Sequence, residues 1–156
     1  MKKTNDFQEL KDNAYQFCGQ FVADKFDKIH LQITELETAL TTETKSSAGD
    51  KHETGRAMIQ LEREKLGQRL AELEKTKQVL SKIPRDSGIT NIGLGNLVVT
   101  DAALYYIGIS AGVYKQGTSL VYCISAGTPI GQLLFGKSVG EHFSFNGKTI
   151  TILTIH

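Results

Sequence analysis

The chain has 156 residues, 40% of them hydrophobic, and a formal net charge of +1. That length holds one domain or two small ones, and a near-neutral total gives no global pull toward nucleic acid or a membrane surface. No uninterrupted apolar run approaches the roughly 20 residues of a membrane span and no signal-peptide core opens the chain, so a cytoplasmic protein is expected.

The first predicted element is a long helix, from about Asp6 to about Glu43. Its apolar residues fall at Phe7, Leu10, Ala14, Cys18, Val22, Phe26, Ile29, Ile33, Leu36 and Leu40, in steps of three and four. A second helix is expected from about Lys51 to Ser81. Ile59, Leu66, Leu73 and Leu80 recur there every seven residues, with Leu70 and Ile83 at helical offsets. Sustained three-four spacing marks a coiled coil, although the four-residue steps from Ala14 to Phe26 depart from a strict heptad. Neither helix can bury its stripe alone, so the two should fold back as an antiparallel hairpin. At ~1.5 Å per residue each arm would be on the order of 45–60 Å long. The bend holds Gly49-Asp50-Lys51-His52-Glu53-Thr54 behind the small residues Ser46-Ser47-Ala48.

Helical pattern ends at Ile83-Pro84. There the composition changes: 30 of the 35 charged residues precede Gly88, whereas 11 of the 15 glycines follow Asp86. Two differently built domains are therefore expected, 1–83 and 84–156. Strands are predicted at Leu97–Thr100, Leu104–Ser110, Ser119–Ser125, His142–Phe145 and Thr149–Ile155. Asn146-Gly147 should join the last two as a two-residue hairpin turn. Thr128 can cap a short helix with Pro129 as its first residue and Gly136 as its stop. Tyr105, Tyr106, Tyr114, Phe135, Phe143 and Phe145 are expected in the core or on strand faces. The fold class is α+β.

Most catalytic constellations are missing. His30, His52, His142 and His156 are scattered and do not suit zinc, and no nucleophile elbow or phosphate-binding loop occurs. Gly93-Leu94-Gly95 reads as a turn leading into a strand. Cys18 and Cys123 read as free thiols packed as small apolar groups. What remains is the bend. Asp50 and Glu53, three apart, have the spacing of a capping box opening the second helix. They are also a partial oxygen-donor set for Mg²⁺, too small to hold the ion without ligands from a partner.

The whole chain resembles the bacterial Gre transcript-cleavage factors, of GreA and GreB type. Gly49-Asp50-Lys51-His52-Glu53-Thr54 is similar to their Gly-Asp-x-x-Glu-Asn tip motif. Thr128-Pro129-Ile130-Gly131-Gln132-Leu133-Leu134-Phe135-Gly136-Lys137 is similar to their Ser-Pro-x-x-x-x-Leu-(Leu/Ile)-Gly-Lys segment, and Gly140 and the terminal hairpin also fit. The resemblance implies a coiled coil inserted into the secondary channel of bacterial RNA polymerase and an FKBP-like C-terminal domain held at its rim. It implies that Asp50 and Glu53 help bind a second Mg²⁺ shared with the polymerase, with Ser47, Gly49, Lys51 and Thr54 supporting the tip. The partners would be the polymerase and the nascent RNA 3′ end. The chain would not be an enzyme but would stimulate cleavage by the polymerase. Thr54 stands for the family's Asn, and Lys51, His52 and Arg56 make this tip more basic than the pattern. A non-cleaving regulator of the same channel is the first alternative. A prolyl isomerase or protein-binding module is the second, although no Trp is present to floor such a pocket.

Overall fold

A computed structural model describes the backbone of residues 2–45 and 49–156, and the side chains of 5–42 and 54–156. The chain is α+β: two long helices, α1 (Lys2–Lys45) and α2 (Gly49–Lys82), precede a six-stranded sheet. Its contacts divide it into two compact units, one of Met1–Phe21 with Gln78–His156 and one of Val22–Lys77. The composition boundary at Pro84 thus falls inside the first unit. The reason is that the opening turns of α1 pack against the sheet and not against another helix alone.

In the unit Val22–Lys77 the expected stripes are the most buried positions. Leu66 and Leu73 of α2 are buried, while Phe26, Ile29, Ile33, Leu36 and Leu40 of α1 and Ile59 and Leu70 of α2 are half-buried. Arg63 pairs with Glu37 at 2.9 Å, and the Lys77 amine lies 5.3 Å from the centre of the Phe26 ring. The later residue on one helix therefore meets the earlier one on the other, the order that antiparallel helices produce. Thr34, Thr38, Thr41 and Thr42 donate their hydroxyls to the carbonyls four residues back. That satisfies the hydroxyls locally, so four β-branched polar residues fit one helix without needing an outside partner.

The other unit is built around β1 (Leu97–Thr100), β2 (Leu104–Gly108), β3 (Gly112–Gln116), β4 (Ser119–Ser125), β5 (His142–Phe145) and β6 (Lys148–Ile155). The strand order is β3-β4-β2-β1-β6-β5; β2 and β4 run parallel and every other neighbouring pair is antiparallel. Strand β3 corrects the expectation of five strands. It is an edge strand with Val113 and Lys115 exposed, so it carries no alternating apolar signal, and Gly117 at φ 61° turns it tightly into β4. Asn146 and Gly147 have φ of 50° and 78°, both positive, as a type I′ hairpin requires.

The sheet has a covered face on each side. On one, Ile107, Val98, Ile150, Ile152 and Phe143 form a core with Leu134 of the short helix α3 (Pro129–Leu134). On the other, Leu10, Ala14 and Cys18 of α1 are buried. Phe17 meets Tyr114 at 5.4 Å between ring centres, Asn13 donates to Gln116 at 2.8 Å, and Phe7 stacks on His156 at 4.5 Å. Cys18 and Cys123, 105 positions apart in sequence, are both buried free thiols, and the Cys123 thiol donates to the Val121 carbonyl at 4.0 Å. The influence of Cys123, and then burial, push the Cys18 thiol upward, so it stays protonated.

Candidate functional site

Gly49 is the first residue of α2, two positions earlier than the expected Lys51. Asp50 and Glu53 therefore lie three positions apart at the opening of a 34-residue helix. Only the residues 46–48 separate this turn from the 44-residue α1. The side chains of Gly49 to Glu53, Lys51 among them, and the whole of Ser47 lie outside the described residues. Thr54, the first described side chain past the motif, is exposed. Downstream, Arg56, Met58 and Leu61 are exposed as well. Two carboxylates one helical turn apart are oxygen donors of the kind Mg²⁺ takes. Among the described residues no group of three or more His, Cys, Asp or Glu converges to hold a metal.

The second motif, Thr128–Lys137, is an anchor for α3. Thr128 is the N-cap: its Oγ1 accepts from the Gly131 amide at 3.2 Å and donates to the Ser125 carbonyl at 2.8 Å. Gly131 cannot be anything larger, because an added Cβ would sit 2.1 Å from the Ser125 carbonyl oxygen. Gly136 ends the helix at φ 85°, and its amide donates to Ile92 while the Ile92 amide donates to Lys137. The Lys137 amine lies 5.8 Å from the centre of the Phe143 ring. Every one of these contacts fixes α3 under the sheet, and none presents a reactive group.

Gly93-Leu94-Gly95 is the expected turn into a strand. The buried Asn96 amide organises it: Oδ1 accepts from Gly93 N at 2.8 Å, and Nδ2 donates to the carbonyls of Gly88 and His156. Gly95, at φ 86°, leaves room for Ile83 and Pro84, which a Cβ would strike.

The aromatic residues sort differently from expectation at one position. Tyr105, Tyr106 and Phe143 are buried, and Tyr114 and Phe145 are half-buried, but Phe135 is exposed. As the C-cap of α3 its backbone is committed, and the turn at Gly136 swings its ring outward. Val113, Leu120 and Tyr122 are also exposed. Val113 pairs with Tyr122 and Lys115 with Leu120, so these four share one face at the sheet's outer edge. Exposed apolar residues gathered on one strand pair form a patch suited to contact with another macromolecule.

No protein-family model and no curated protein matches the chain. No helix among the described residues is long and apolar enough to cross a membrane.

Proposed function

We propose that this chain is a cytoplasmic transcription elongation factor of Gre type, which binds the secondary channel of bacterial RNA polymerase and stimulates cleavage of backtracked RNA. On this reading α1 beyond Phe21 and α2 form an antiparallel coiled-coil hairpin, and the sheet with α3 is an FKBP-like domain. The heptad stripe and the Glu37–Arg63 and Phe26–Lys77 contacts support the hairpin. One observation carries the function: the Gly49-Asp50-x-x-Glu53 motif opens α2, only three residues after α1 ends.

Asp50 and Glu53 would hold a second Mg²⁺ together with ligands of the polymerase. When bound, that ion stabilises the entering and leaving oxygens of an in-line displacement at phosphorus. The two carboxylates set its position and balance its charge; Gly49 leaves the approach unobstructed, and Thr54 supports the turn. They touch no base, so cleavage would follow the geometry of the RNA 3′ end and not its sequence. The chain is therefore no hydrolase by itself. The exposed Val113, Leu120 and Tyr122 would meet the polymerase at the channel rim.

The test is release of short 3′ RNA fragments from stalled elongation complexes by the purified protein. Asp50→Ala with Glu53→Ala should abolish release while polymerase binding persists; cleavage that survives the double substitution removes the metal role. The basic residues Lys51, His52 and Arg56 favour a second reading, a non-cleaving regulator of the same channel, since cations compete with Mg²⁺ for carboxylates. Binding with inhibition, and no fragments at any Mg²⁺ concentration, selects it.

A further inference from the structure

A cleft of about 420 Å³ opens in the sheet unit, where the first turns of α1 meet the segment after α2. Its walls include Lys11, Asp12, Tyr15, Pro84, Arg85 and Tyr106. Lys11 flanks the apolar stripe of α1, in helical step with Phe7 and Ala14, and only 7% of it is exposed. A lysine is almost never so buried unless it is paired. Yet among the described residues it forms no ion pair or hydrogen bond; Asp12 and Asp86 act on it only at longer range. Tyr106 is 1% exposed, and its hydroxyl likewise has no hydrogen-bond partner among the described residues. No fully sealed side-chain nitrogen or oxygen lacks a partner among those residues. The Lys11 amine and the Tyr106 hydroxyl therefore reach the open space of the cleft.

From this geometry we infer that the cleft is a binding site for a small organic anion, a phosphate or carboxylate head on a flat ring. Lys11 supplies the desolvated cation for the head, with the Tyr106 hydroxyl as a second donor to it. Arg85, exposed at the mouth, adds a planar guanidinium that can hold either head through two parallel hydrogen bonds. Tyr15, half out of the surface, offers a face for the ring, and the buried Ile83 an apolar wall. Asp12, whose Oδ1 accepts from Gln8, also lines the cleft and favours a ligand that carries a hydroxyl or amine donor besides its anionic head. Burial lowers the Lys11 pKa, which the charges of Asp12 and Asp86 partly oppose. An anionic ligand would raise it again. The volume lies within the range of small-molecule sites, roughly 300–1,000 Å³.

The experiment is calorimetric titration of the full chain with adenosine monophosphate against adenosine, and with benzoate against benzamide. Each pair differs in the charged head and keeps its ring. At least one anion should bind saturably and at least tenfold tighter than its neutral analogue, and which pair does so distinguishes a phosphate from a carboxylate head. Lys11→Met should remove that preference without lowering the melting temperature, because it deletes a buried uncompensated charge. Should that variant fail to fold, Arg85→Gln, at an exposed position, must still cut the preference severalfold. Lack of saturable binding up to about 10 mM, equal affinity for charged and neutral analogues, or a preference untouched by these substitutions overturns the site.

Discussion

The two units put their buried surface to different uses. In Val22–Lys77, a single stripe per helix is half-covered, the outer faces are charged, and the contacts between helices are exposed ones such as Arg63–Glu37, with side chains 52% and 51% accessible. Such a pair contributes at most about 1 kcal/mol. In the sheet unit both faces of the strands are covered, by α3 on one side and α1 on the other, and Val98, Ile107, Val121 and Leu134 have no exposed surface. Among the described residues the most deeply buried side chains are gathered in the sheet unit.

Three measurements would break or sharpen that contrast. The largest effect is expected in the sheet core, where Leu134→Ala should cost about 3 kcal/mol in urea unfolding. The matching change in the helices, Leu66→Ala, should cost less, about 2 kcal/mol, because the side chains around it are only half-buried and can close on the space. Equal losses would mean that the helical unit is packed as tightly as the sheet. Next, Thr128→Ala removes the cap of α3 and should cost about 1 kcal/mol. A loss near zero would show that the Ser125 and Gly131 contacts are replaced by water.

The smallest effect is a pH dependence confined to the sheet unit. Burial, and then the charge of Lys11, lower the His156 pKa. The unfolded chain therefore binds that proton more tightly than the folded one. The resulting penalty is absent well above the unfolded value of about 6.5. It grows as pH falls toward the lowered folded value and is complete below it. Urea midpoints taken on either side of this window should converge in His156→Gln, with the slope at higher pH unchanged. An identical slope in both proteins would show that the ring titrates alike in folded and unfolded chains.

Much of this was legible from local pattern. The stripes of α1 and α2, the Thr128-Pro129 start and Gly136 stop of α3, and the Asn146-Gly147 turn each rest on residues within a few positions of one another. Strand β3 was not legible, because an edge strand facing solvent has no periodic burial to read. The division of the units had a signal whose meaning needed the sheet. The steps of four from Ala14 to Phe26 fall where helix α1 passes from residues grouped with the sheet to residues grouped with α2. The influence of Cys123 on Cys18 left no trace in spacing, since nothing local links a helix to a strand 105 positions away. The tip motif was found by its residue types, and its chemistry rests on side chains beyond the described part of the molecule.

The lid that the opening turns of α1 place over Tyr106, Val121 and Cys123 sets a rule for dissecting the protein. A fragment starting at Pro84 would lack that lid, leaving an oily plane wet and prone to clump. Any assay of the C-terminal half in isolation would then report on a damaged object. Grafting residues 1–21 back through a short tether would restore it.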